Sequence, residues 1–187
     1  MTVRDDGESI ALFEPLMISE GALDRSKLND LALELAARAA AFRSSLPAST
    51  ASALADLIRS MNCYYSNLIE GHNTHPVDIE RALKDDYSAD PEKRDLQLEA
   101  KAHIEVQKWI DGDGLEDTPT APASLLEIHR RFCELLPEDL LFVENPDTDE
   151  RLRVEPGELR EHDVKVGRHF AISPGAVPRF LDRMHEA

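Results

Sequence analysis

Apolar residues recur at three- and four-residue spacing in six separate stretches, five of which are closed by a proline, a glycine or a polar turn, so the chain is restricted to a mainly helical fold. From Lys27 to about Ser45, Leu28, Leu31, Leu35 and Ala39 share one face, and Pro47 forbids continuation. Thr50 reads as the cap of a second helix running to Glu70, with Leu54, Leu57, Ile58, Met61, Tyr65 and Leu68 as its stripe and Gly71 as its stop. Thr74 and Pro76 read as cap and first-turn proline of a short third helix reaching Asp86. Asp90 and Pro91 repeat the signal for a fourth, which Gly112 and Gly114 end after Ile110. A fifth runs over Ala123–Leu136, with Leu125, Leu126, Ile128, Phe132 and Leu136 apolar and Pro137 as its stop. The sixth starts at Val177 and places Val177, Phe180, Leu181 and Met184 on one face. No stop signal follows it, and the spacing predicts an apolar face without a partner in the sequence.

Between the fifth and sixth helices the pattern changes. RLRVEPGELR and DVKVGRHFAI carry β-branched residues in short runs separated by turn formers, which predicts an extended pair joined as one hairpin. The expected fold class is therefore mainly α, with one hairpin and no sheet of consequence.

With 187 residues, 42% hydrophobic and 31% charged, the chain is long enough for a buried core and lies outside the composition of disorder. A net charge of -16 argues against direct nucleic-acid binding, which draws on Lys and Arg to neutralise phosphates. Cys63 and Cys133 stand far apart inside helical patterns, which implies reduced core residues rather than a disulfide or metal framework. The acidic DGDG loop starts like a calcium loop without filling the remaining ligand positions. No run reaches the length of a membrane span and the N-terminus has no signal-type apolar region, so a cytoplasmic protein is expected.

The end of the second helix carries the most information. Ser66 and Glu70 stand four apart and share a face, and Glu70 is the last helical residue before Gly71. A carboxylate there opposes the negative end of the helix dipole, by a few tenths to about 1 kcal/mol. Either solvent compensates it or an arginine from outside the helix does.

Ser66-Asn67-Leu68-Ile69-Glu70-Gly71 resembles the inhibitory motif of Fic-domain (Fido) proteins, (S/T)xxxE(G/N). The continuation GHNTHPVDIERAL, the IHRRF of the fifth helix and the string PGELREHDVKVGRHFAISPGAVPRFL are similar to further family segments in the same order. The resemblance covers the chain from about Leu28 onward and implies a Fido-like helical bundle. It implies residues 1–115 as a helical region with the inhibitory motif at 66–71, and 116–187 as the first part of the core, with a β-hairpin flap at about 151–173.

By the same resemblance, Glu70 is the inhibitory carboxylate, Ser66 secures its helix and Gly71 closes it. Val164, Lys165, Val166, Gly167, Arg168 and His169 lie on or beside the flap, whose edge holds the loop of a target protein; core packing is the competing account of the two valines. The family's activity is AMP transfer from ATP, with Mg²⁺, to a Ser, Thr or Tyr hydroxyl.

The catalytic motif of that family, HPFx(D/E)GNGRxxR, is not found in this sequence. The chain is thus expected to be inactive alone and to bind neither ATP nor Mg²⁺ tightly. His75-Pro76 spells only the first two letters and reads as helix-start chemistry, and His129, His162 and His169 lack the spacing of a triad or metal site. Two expectations follow: the regulatory part of an adenylyltransferase, or an inactive relative acting as a binding or inhibitory module; a homo-oligomer is a further partner expectation.

Overall fold

The computed structural model describes residues 3–13, 18–72, 74–144 and 151–186. Among them are six α-helices: α1 (Arg25–Ser45), α2 (Ala48–Ile69), α3 (Pro76–Ala82), α4 (Pro91–Asp111), α5 (Pro122–Glu134) and α6 (Val177–Glu186). Four short strands accompany them: β1 (Phe142–Glu144), β2 (Arg151–Arg153), β3 (Lys165–Val166) and β4 (His169–Phe170). Contacts divide the chain into two compact units, Pro15–Arg59 on its own, and Met1–Glu14 together with Ser60–Ala187. None of the helices described is long and apolar enough to cross a membrane.

Asp90 caps α4 as expected, its carboxylate accepting the Glu92 N–H (3.2 Å), whereas two other helix starts depart from the expected caps. The first helical bond of α2 runs from the Ala51 N–H to the Pro47 carbonyl (2.9 Å), so Thr50 lies inside the helix and is not its cap. In α3 the cap position is held by His75, in extended backbone and without a side-chain bond, with Pro76 directly after it. The fixed φ of Pro76 and the extended bias it imposes on His75 start this helix without Thr74 as its cap. α3 also stops earlier than periodicity suggests. Asp85 takes the left-handed conformation (φ 58°), and the Asp86 N–H bonds back to Arg81. The same device ends α4, where the left-handed residue is Asp113 (φ 60°), with the Gly114 N–H on the Trp109 carbonyl. Gly114 is required for another reason: a Cβ there would lie 2.2 Å from the Trp109 indole nitrogen.

In the larger unit α3 packs on α4 and α4 on α5. Cys63 of α2, Ile79 of α3, and Ala100 and Ile104 of α4 form the buried cluster, with Tyr64 against it. The face of α2 that is buried is thus centred on Cys63, whereas Leu57, Ile58, Tyr65 and Leu68 of the expected stripe are exposed. Small side chains decide this: Cys63, Ala82 and Ala100 let helix backbones approach closely, and the Cys63 thiol reaches the Ala100 carbonyl at 3.7 Å. Leu28, Leu31 and Leu35 of α1 are likewise exposed.

Gln97 is the buried polar residue that organises this unit. At 1% exposure, its Oε1 accepts the Ser88 N–H (2.7 Å) and its Nε2 donates to the Asp78 carbonyl (3.0 Å), joining α4 to α3 and to the turn after it.

Both cysteines are free and buried, as their place in apolar helical patterns implies. Burial, with the Glu99 carboxylate adding to it, pushes the Cys63 thiol up to about 11. Below pH 9 its thiolate population is then about a hundredfold under that of an unburied thiol. Alkylation of the folded chain at pH 8, read by peptide mass spectrometry, is expected to leave Cys63 unmodified until denaturant is added. Rapid labelling of Cys63 in the native chain would contradict this packing.

The expected pairing of 151–160 with 163–172 is replaced by two local ladders. β2 pairs antiparallel with β1, Phe142 opposite Arg153, and β3 pairs with β4, Lys165 opposite Phe170. Closing shorter loops costs less entropy, and Gly167 (φ 60°) supplies a two-residue turn for the second ladder. Between the ladders, Gly157 (φ 79°) donates its N–H to His129 Nδ1 of α5 at 3.0 Å.

The apolar face of α6 does have partners, contrary to the expectation from the sequence. α6 contacts α5 and the N-terminal 3-10 turn Ile10–Leu12, and Phe180 meets Phe13 with ring centroids 5.9 Å apart. The N-terminal segment supplies this cover by folding back along the start of α6, a long-range return that periodicity does not encode.

Candidate functional site: a helix end and an exposed hairpin

The last turn of α2 closes with two crossed backbone bonds. The His72 N–H reaches the Asn67 carbonyl (2.7 Å) and the Gly71 N–H reaches Leu68 (3.2 Å), with Gly71 at φ 84° between them. This is the Schellman closure, and it needs a residue at ease in the left-handed region. The role expected for Gly71 as the helix stop is therefore given by its backbone. Gly71→Ala is expected to cost about 1–2 kcal/mol, because a Cβ in that region meets its own carbonyl. Urea denaturation reads the cost, and an unchanged midpoint would mean that the turn can close another way.

Two further contacts fix the turn. The Asn67 amide donates to the buried Thr74 hydroxyl (3.4 Å), and His72 Nδ1 lies 3.7 Å from the Glu99 carboxylate of α4. Burial holds the Glu99 carboxyl above the usual range, opposed by His72. His72 and Glu99 were not singled out from the sequence, where Thr74 reads only as a helix cap and Asn67 only as a position inside the motif. The four meet only because α3 folds back on α4, although the burial of Thr74 is in keeping with the turn that Gly71 starts.

Ser66 and Glu70 are both exposed, one helical turn apart, with the Glu70 N–H on the Ser66 carbonyl at 3.2 Å. Neither hydrogen bond nor ion pair reaches the Glu70 side chain among the described residues. A carboxylate is thus held at the negative end of a helix, on a braced turn and exposed, with no cation on it among the described residues. Electrostatically this is an acceptor ready for a guanidinium or ammonium from elsewhere.

The six residues expected on the flap do lie together. Lys165–Val166 and His169–Phe170 pair across Gly167-Arg168, with a positive φ at Gly167 only, the arrangement of a type II′ turn. The Ala171 N–H on the Val164 carbonyl (2.9 Å) extends the ladder by one bond. Arg160 braces the base, donating to the carbonyls of His162 (2.8 Å) and Ile172 (2.5 Å). Every residue from Val164 to Phe170 is exposed, Val166 at 71%, so core packing is not what the valines do here. A two-stranded hairpin exposed on both sides presents unpaired backbone groups along its edges.

The histidines set aside in the sequence take structural places. His75 holds the start of α3, and His129 accepts the Gly157 N–H on Nδ1 while its Nε2 faces the Cys133 sulfur at 3.5 Å. Among the described residues no group of three or more His, Cys, Asp or Glu side chains gathers as a metal site. No family model, no curated protein and no solved structure matches the chain.

Proposed function

We propose that this chain is the N-terminal regulatory part of a protein adenylyltransferase, an enzyme that moves AMP from ATP to a Ser, Thr or Tyr hydroxyl of a target protein, and that Glu70 is its inhibitory group. The observation that carries this reading is the Glu70 carboxylate, exposed and without a cation among the described residues, on a turn closed by Gly71 and braced by Asn67–Thr74. In this reading Glu70 engages an arginine of the catalytic motif that otherwise positions the ATP γ-phosphate, so inhibition and catalysis compete for one guanidinium. The exposed edge at Val164–His169 takes a loop of the target protein by strand addition, in which main-chain bonds give affinity.

ATP and Mg²⁺ would be held by residues of the HPFx(D/E)GNGRxxR motif, so no residue of this sequence is assigned to them. The test is transfer of label from ATP in the natural protein carrying that motif. Higher incorporation in Glu70→Gly supports the reading, and unchanged incorporation rejects it.

A further inference from the structure

Residues 3–13 touch the β3–β4 hairpin at its entrance and at its exit. At the entrance, the Arg4 guanidinium binds the carboxylate of Asp163, two residues before β3, at 2.5 Å. At the exit, Ser173 is gripped by Glu8: its N–H donates to one carboxylate oxygen (2.5 Å) and its hydroxyl to the other (2.8 Å), while the same hydroxyl accepts the Asp6 N–H (2.9 Å). Beyond the exit, the Gly175 N–H donates to the Arg4 carbonyl (2.7 Å), and Arg179 of α6 holds the Asp5 carboxylate (2.9 Å) and the Glu8 carbonyl. Segments more than 150 residues apart in sequence are thus joined by both backbone and charge.

Gly175 shows independently how close the approach is. A Cβ there would lie 2.8 Å from the Arg4 carbonyl oxygen and 2.9 Å from that of Val3, contacts that real side chains do not make. Its backbone needs no positive φ, so the glycine answers to the segment lying on it rather than to a turn of its own.

We infer that residues 3–13 act as a clasp that fixes the hairpin to the start of α6 and so sets how freely its edge can meet another strand. This rests on the reading of the hairpin as the docking edge. With the clasp closed, entrance and exit are tied to one rigid point. With it open, the hairpin keeps only its few ladder bonds and the Arg160 brace, and a two-stranded hairpin alone is marginal in water. The ion pairs of the grip lie at the surface and add little each, so its hold rests on a few hydrogen bonds to Ser173 and Gly175, few enough to open locally while the helices stay folded.

Amide hydrogen exchange of the whole chain tests this without any target protein. Gly175→Ala is expected to speed exchange at 164–171 by about tenfold or more, the cost of displacing backbone rather than a flexible side chain, with α3 and α4 unchanged. Arg4→Ala removes the exposed pairs with Asp163 and Asp6 but keeps the Arg4 carbonyl on Gly175, and is expected to speed exchange at 164–171 by about two- to fivefold while Gly175 stays protected. Faster exchange at residues 4–8 with 164–171 unchanged would overturn the clasp, as would faster exchange spread evenly over α3, α4 and the hairpin. Since exchange needs neither ATP nor target, these results stand apart from label transfer, which alone decides the proposed activity.

Discussion

If the proposed function holds, Glu70→Gly in a protein that joins this chain to the catalytic motif is expected to raise AMP incorporation from labelled ATP by roughly 5- to 150-fold, the range of a regulatory coupling of about 1–3 kcal/mol. The argument is one of competition. A carboxylate held on a closed turn, exposed and without a cation of its own among the described residues, loses little by pairing with a guanidinium elsewhere. Removing it frees that guanidinium for phosphate. Glu70→Gln separates charge from shape: it keeps the side-chain size, should release most of the inhibition, and should leave stability within about 0.5 kcal/mol, as an exposed substitution does. The small residual effect should be stabilising, because a negative charge leaves the negative end of α2. Activation accompanied by a large loss of stability would instead mean that the turn had unfolded. No activation in either variant would remove Glu70 from the regulatory role.

The second large effect is on the fold. Gln97→Leu preserves volume and burial but leaves the Ser88 N–H and the Asp78 carbonyl without the partners they now have. An unsatisfied buried polar group costs about 1–3 kcal/mol, so the pair is expected to lose about 2–4 kcal/mol in urea denaturation followed by the fluorescence of Trp109. Ile79→Ala, which empties part of the fully buried cluster, belongs in the same range at about 2–5 kcal/mol. The two differ in where the damage appears. Gln97→Leu should loosen the turn at Ser88 specifically, because that backbone group depends on one side chain. A loss below about 0.5 kcal/mol for Gln97→Leu would mean that water or a shifted turn can replace the amide.

The sequence by itself determined what depends on neighbours along the chain. Six helices follow from apolar spacing and from Pro47, Pro76, Pro91 and Pro137, because φ locking and 3.6-residue periodicity act over one or two turns. Gly71 as the stop of α2 was legible for the same reason, since it answers to a local positive φ, whereas Gly167 as the turn between β3 and β4 was not. The exposure of Glu70 was left open by the sequence, which allowed either solvent or an arginine beside it.

Tertiary structure decided which faces are buried, because burial is settled by what arrives from far along the chain. Periodicity singled out the large apolar residues of α2, yet its apolar residue in the buried cluster is Cys63, since α3 and α4 approach where side chains are small. Strand partners were decided likewise: Phe142–Glu144 lies nearer to Arg151–Arg153 than 163–172 does once the loop must close, and local closure costs less entropy. The return of residues 3–13 to Ser173, Gly175 and Arg179 left no trace in local pattern, because a bond between residues 165 or more positions apart is a property of the folded chain alone.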